Sequence, residues 1–181
     1  MIGVQLEVWE AIETRRSIRA YQPDPIPDDV LKRILEAGRL SPSAVNRQPW
    51  HFVIVRDENM RGKLAKNARF GKFIKESPVV IVACGDSGSS PKWYTVDTAI
   101  AVQQMVLMAT AEGVGSCWIG SMDKSEVSEL LSIPDKWEVV AMLTLGYPRK
   151  KIDLGAKIIG ANRRKSLDEI TSGELFGSPF S

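Results

Sequence analysis

Apolar positions along the chain recur in two periods, and each period predicts an element type. In "IPDDVLKRILEAGRL", Val30, Leu31, Ile34, Leu35 and Gly38 fall on one face at helical spacing. Pro27 suits the first helical position there, and Asp28 and Asp29 favour the positive end of the helix dipole. Residues 5–16 also have helical character, with Trp9, Ile12 and Arg16 spaced along one side. "WHFVIV" reads as a strand, 57–69 as a helix, and "PVVIVACG" (78–85) as a fully buried strand. The segment 94–112 is apolar on nearly all sides, so it should lie in the core or against a second chain. Asp123 with Glu126 resembles a capping box before "VSELLSI", and "WEVVAMLTLGYP" reads as another central strand.

Between these elements, "SPSAVNRQP" (41–49) is a loop bracketed by Pro42 and Pro49, and "DSGSSPK" is too short to be a domain linker. After Pro148 the periodicity dissolves into a basic tail through "RKKID" and "ANRRKS". No repeat and no second core is evident. The expectation is one α+β domain over 1–181, with an extended C-terminal arm from about residue 148.

Composition narrows the function classes. With 44% apolar and 25% charged residues this is an ordinary globular chain, and 181 residues bury a sizeable core. A net charge of +2 is too small to argue for nucleic acid by itself. No apolar run reaches the roughly 18 residues of a membrane span, and the N-terminus lacks the order of a signal peptide, so a cytoplasmic protein is expected. Cys84 and Cys117 lie in apolar surroundings and read as core thiols. His51 is the only histidine and lies in a strand, where a solvent-facing position is expected. That leaves no zinc ligand set and little scope for a histidine-based triad. Catalysis here points to a bound cofactor.

Three stretches carry candidate chemistry. "RRSIR" places Arg15, Arg16 and Arg19 around Ser17. It reads either as a solvated helix end, where cations meet the negative dipole terminus, or as an anion site of guanidinium groups and a hydroxyl. A second basic cluster, Arg163, Arg164 and Lys165, would join the first around one phosphate if the tail folds back. In the loop, Ser43, Asn46 and Gln48 offer donors and acceptors to a polar ligand edge. "GVGSCWIG" has the spacing G-x-G-x-x-x-x-G and so does not match the dinucleotide fingerprint. Its glycines permit either a tight helix-to-strand turn or close backbone approach to a flat ligand.

Taken in order, "RRSIRAY", "SPSAVNRQPWHFVIV", "SPVVIVACG", "DTAIAVQQMVLMATAEGVGSCWIG" and "LGYP" resemble the FMN-dependent nitroreductase family, from about residue 10 to about 170. The resemblance implies a three-layer α/β/α fold with a central, mainly antiparallel sheet flanked by helices. It also implies a homodimer with FMN at the subunit interface and an exchanged C-terminal arm. By motif, Arg15, Ser17 and Arg16 would hold the phosphate and ribityl chain, and Arg19 the pyrimidine edge of the flavin. Pro42, Ser43, Ala44, Asn46 and Gln48 would reach the flavin from the other subunit. Trp118, Ile119 and Gly120 would lie along the isoalloxazine, Arg164 would complete the phosphate site, and Lys72 aligns with a second basic residue near the ring. The implied reaction is ping-pong hydride transfer from NADH or NADPH to a nitroaromatic, quinone or flavin acceptor, with no catalytic side chain assigned.

The chain also departs from that pattern. Asn162 stands where some members carry a lysine, which shifts phosphate binding towards Arg15, Arg16 and Arg164, or Arg163. Ile119 stands where many carry an acid, and the chain lacks the long insertion that covers the site in larger relatives. Reductive dehalogenation, ene reduction and flavin fragmentation remain alternatives on the same fold. A phosphate- or nucleic-acid-binding module is the alternative from another class.

Overall fold

The structure, a computed structural model, describes residues 7–69, 71–149 and 164–180. Two compact units divide at Lys150/Lys151, and each is described by itself. In chain order the first unit holds α1 (Val8–Thr14), α2 (Asp28–Arg39), β1 (Trp50–Val55), α3 (Glu58–Lys66) and α4 (Lys72–Glu76). It continues with β2 (Val79–Asp86), α5 (Tyr94–Ala111), β3 (Gly115–Ile119), α6 (Lys124–Leu130) and β4 (Trp137–Gly146). The strands form one antiparallel sheet of order β1-β2-β4-β3.

Alternation along the strands divides the core in two. Val79, Ile81, Ala83, Leu143 and Leu145 point to the side where α2 and α5 pack, meeting Leu31, Ile34, Val102, Met105 and Val106. Val80, Val82, Cys84, Val139 and Met142 point to the other side, against Leu64, Ile74 and Val127 from α3, α4 and α6. The unit is therefore an α/β/α sandwich, as expected. β2 and β4 are central and buried on both faces, which accounts for their near-continuous apolar runs.

Local chemistry sets the helix ends. Asp57 and Asp123 cap α3 and α6 by accepting from the Met60 and Glu126 N–H groups at 2.7 and 3.1 Å. Pro27 is the N-cap of α2 rather than its first helical residue, because its extended ψ of 144° precedes the first turn. The helix expected over 57–69 ends at Lys66, where Asn67 donates back to Leu64 and the chain turns into α4. α5 buries Ala101, Val102, Met105, Val106 and Ala109 and leaves Val96 and Ile100 exposed. His51 is exposed on β1, its ring 5.4 Å from that of Trp137.

Among the described residues of the second unit there is no helix or strand. The Glu169 carboxylate accepts from the Ser166 N–H and hydroxyl at 2.8 and 3.1 Å. Leu167, Ile170, Leu175, Phe176 and Phe180 are exposed. Asn162 and Arg163 lie outside the described residues, while Arg164 and Lys165 are the first described residues of this unit. No helix among the described residues is long and apolar enough to cross a membrane.

Candidate functional site

α1 ends at Thr14 with Arg15 as its C-cap, so the arginine run begins where the helix stops. Arg16 donates to the Glu13 and Arg15 carbonyl oxygens at 2.7 and 2.8 Å, closing the C-terminal end of α1. The solvated-helix-end reading thus describes the present contacts of Arg16. Arg15 is half-buried, and Arg19 and Ser17 are exposed.

The segment beyond α1 does more than leave the helix. Ser17 forms a parallel bridge with Ser116 on β3, and the Ile18 N–H donates to the Ser116 carbonyl at 2.8 Å. Two motifs separated by about a hundred residues therefore lie side by side at the sheet edge. Further along, the Gln22 N–H donates to the Tyr147 carbonyl at 2.9 Å and the Arg149 N–H to the Ala20 carbonyl at 3.0 Å. Tyr21 anchors this strip from beneath: its buried hydroxyl lies 2.6 Å from the Ile18 carbonyl and 2.7 Å from the Thr144 hydroxyl. Burial raises the Tyr21 phenol well above its ordinary value, although the Thr144 hydrogen bond opposes that shift.

The glycines of "GVGSCWIG" acquire separate roles. Gly113 makes the helix-to-strand turn with φ +70°. Gly115 permits a close approach, but to the chain itself: a Cβ there would lie 2.8 Å from Ile18 Cγ1 and 3.0 Å from Pro148 Cγ. Beyond the Ser116 bridge, β3 is the open edge of the sheet. Strand alternation turns the N–H and C=O of Trp118 to the same side as those of Ser116, away from β4. Trp118 is half-buried against the α2/α5 side, Ile119 is buried on the other, and Gly120 is exposed.

Past Gly120 the edge meets a second basic segment. The Arg69 N–H donates to the Ser121 carbonyl at 3.1 Å, and Ala68 bridges Met122. Lys72, exposed in the first turn of α4, follows three residues later. Arg69 was not singled out in the sequence. Its only signal there is one more cation in "NARFGK".

The polar loop lies elsewhere. Its Ala44 N–H donates to both carboxylate oxygens of Asp97 at 3.2 Å, and the Gln48 N–H donates to the Ser43 hydroxyl at 2.9 Å. Val45, Asn46 and Gln48 adopt φ of 53°, 54° and 50°, a region costly for a β-branched residue such as Val45. Pro42, Asn46 and Gln48 are exposed, and Ser43 and Ala44 half-buried. Asp97, 4% exposed in the first turn of α5, holds the loop and was missed because it reads as one polar position in an apolar helix.

Register fixes the distance between these two halves. Ser116 aligns through Leu145 with Val79, whereas Trp50, which follows the loop, aligns with Gly85. Three inter-strand steps of about 4.8 Å and the residues from Val79 to Gly85 at about 3.3 Å each separate the corners by roughly 24 Å. The run of α5 from Asp97 to Ala111, at about 1.5 Å per residue, gives about 21 Å. The structure therefore joins Arg15, Arg16, Ser17 and Arg19 to Trp118, Ile119 and Gly120, and brings the Lys72 segment to the same edge. It holds Pro42, Ser43, Ala44, Asn46 and Gln48 at the diagonally opposite corner. Arg164 belongs to the second unit.

The donor set at the β3 edge suits an elongated anion with a flat polar end. Guanidinium groups and a hydroxyl match phosphate oxygens, and an exposed strand edge offers amide N–H and carbonyl groups in line. FMN has that chemistry.

Comparison with known proteins gives a consistent result. The sequence model described as "Nitroreductase family" matches residues 12–78 and 65–147. A protein of Methanothermobacter thermautotrophicus, described as an NADH dehydrogenase/NAD(P)H nitroreductase, is 38% identical over 150 residues, covering 80% of this chain and 78% of its own. The crystal structure of a nitroreductase family protein from Clostridium novyi NT superposes with a TM-score of 0.77 at 30% identity, covering 97% of each chain. An FMN-dependent nitroreductase from Clostridium difficile R20291 gives 0.73 at 28% identity, covering 87% of this chain and 96% of that one.

Proposed function

Because the chain belongs to the nitroreductase family, we propose that it is an FMN-dependent oxidoreductase working as a homodimer. In this reading it uses NAD(P)H to reduce a small acceptor: a nitroaromatic, a quinone or a free flavin. The observation that carries the reading is the Ser17–Ser116 bridge, which sets the arginine run against an open strand edge. FMN held there would supply the hydride and electron transfer between the nicotinamide and the acceptor.

The chain's own residues bind, orient and tune. Arg15, Arg16 and Ser17 hold the phosphate and ribityl end, with Arg16 exchanging its helix-closing contacts for phosphate oxygens. Arg19 places a cation where it favours the more negative, reduced ring. Trp118 and Gly120 present backbone groups to the ring, while Ile119 between them has its backbone turned towards β4 and its side chain buried. Lys72, and Arg69 beside it, supply positive charge at the far end of the edge. In the same proposal Pro42, Ser43, Ala44, Asn46 and Gln48 serve the site of a second copy, a reading supported by the corner-to-corner separation. The proposal also keeps one domain over 1–181 with an arm from about residue 148, and Arg164 as a further phosphate ligand. NAD(P)H as donor is consistent with work in the cytoplasm.

Absorbance of the purified protein tests this. A yellow protein whose flavin bands are bleached by NADH or NADPH and restored by a nitroaromatic or quinone is expected, with the flavin surviving turnover. A colourless protein that FMN does not reconstitute refutes the reading. Oxygen-dependent loss of the flavin would instead point to flavin fragmentation.

A further inference from the structure

We infer that Tyr21 and Thr144, two buried hydroxyls beneath the arginine run, are positioning residues that fix where Ser17 and Arg19 stand along the β3 edge. The inference deepens the flavin reading and rests on it for the identity of the ligand.

Thr144 gives the first indication. In the buried run Ala141–Gly146 of β4 it is the one polar side chain, and it is 0% exposed. Valine would fill the same space with no hydroxyl to satisfy, so the hydroxyl needs a use. The direction of the protons supplies one. Tyr21, 2% exposed, has a single phenolic proton, and the Ile18 carbonyl 2.6 Å away can only accept it. The Thr144 hydroxyl therefore donates to the Tyr21 oxygen at 2.7 Å, closer than its 3.3 Å approach to the Cys117 carbonyl.

This pin acts on backbone. Both polar groups of Ile18 are taken: its N–H donates to the Ser116 carbonyl at 2.8 Å, and its carbonyl accepts from Tyr21. Planar peptides join Ile18 to Ser17 on one side and to Arg19 on the other. Neither peptide can turn without breaking one of these bonds. Exposure alternates to match, with Ile18 half-buried and Tyr21 buried while Ser17 and Arg19 are exposed.

Two facing glycines let the strip lie this close. Gly115 and Gly146 are partners in the β3–β4 register. A Cβ on Gly146 would stand 2.7 Å from Tyr21 Cδ1 and 2.6 Å from Pro78 Cδ. Packing thus holds the Tyr21 ring by itself, and the hydroxyl adds the pin. Tyr21→Phe removes the pin and keeps the ring, and the Thr144 hydroxyl can turn to Cys117.

Hydrogen exchange and FMN titration of the full chain, freed of flavin, test the inference. In Tyr21→Phe the Ile18 amide should exchange at least about fivefold faster relative to the β2 amides, the size of one lost hydrogen bond. The FMN dissociation constant should rise at least about fivefold at a temperature where the variant stays folded. Adding Thr144→Val to Tyr21→Phe should change that constant by less than about twofold, because Thr144 acts only through Tyr21. Thr144→Val alone, close in shape, should move both readouts in the same direction by less, and it decides the matter if Tyr21→Phe does not fold. Ile18 and β2 amides accelerating together mark a purely structural role and overturn the inference. So does an unchanged FMN constant in Tyr21→Phe, or no change in either readout in Thr144→Val. A wild-type chain that takes up no FMN refutes the flavin reading instead, and the exchange ratio then decides alone whether the pin holds the strip.

Discussion

Gly115→Ala should separate the arginine run from the sheet. The added Cβ would meet Ile18 Cγ1 at 2.8 Å, Ile18 Cβ at 3.0 Å and Pro148 Cγ at 3.0 Å, so the strip carrying Ser17 and Ile18 has to move outward. Overpacking of this kind costs about 1–3 kcal/mol. Losing the 2.8 Å Ile18–Ser116 hydrogen bond adds about 1 kcal/mol, and the stiffer unfolded chain returns about 0.4–1 kcal/mol. A net loss of about 1–3 kcal/mol should lower Tm by roughly 2–12 °C in a chain of this size. FMN affinity should fall with it, because Arg15, Ser17 and Arg19 ride on the displaced strip. Gly62→Ala in α3 is the control: its Cβ meets nothing within 4 Å, and helix propensity favours it by about 0.8–1 kcal/mol. Differential scanning fluorimetry and FMN titration of both variants decide the matter. If Gly115→Ala matches Gly62→Ala in Tm and in FMN affinity, the close approach does not position the arginines.

Other perturbations probe separate links. Arg15→Ala should release FMN on dialysis faster than Arg56→Ala, and equal retention would remove Arg15 from the site. Asp97→Ala leaves the Ala44 N–H without its carboxylate, costing about 1–3 kcal/mol; hydrogen exchange at residues 43–46 should rise, and unchanged protection would dismiss Asp97 as the loop's anchor. Burial raises the Tyr21 phenol and pushes the Cys84 thiol up to about 11, so both folded groups resist ionisation. Their stabilising effect is complete below their unfolded values and fades as pH rises through about 8.5 for Cys84 and about 10 for Tyr21. Tyr21→Phe should therefore flatten the fall in Tm above about pH 10, and an equally steep fall would contradict this assignment.

The elements were legible where local patterning dominates. The stripe of α2, the buried run of β2 and the Asp123 cap are properties of short windows, and each appears in the structure. The site was legible only as separate pieces. That Ser17 pairs with Ser116 is a long-range event which neither segment announces, and Gly115 reads the same whether it admits a ligand or Ile18. Asp97 was hidden for a related reason: burial of one carboxylate depends on a backbone N–H more than fifty residues away. The left-handed φ of Val45 runs against its residue type, so propensity misreads it where tertiary contacts override local preference.

The diagonal placement of the two half-sites has a genetic consequence. In the proposed dimer each flavin would draw the arginine run from one copy and the polar loop from the other. A chain defective at Arg15 and a chain defective in the loop would then each be inactive alone. When co-expressed, a mixed dimer would concentrate both lesions in one site and leave the other intact. Random pairing of equal amounts would restore about a quarter of the wild-type sites. Two dead alleles would thus complement, without either protein having recovered anything of its own.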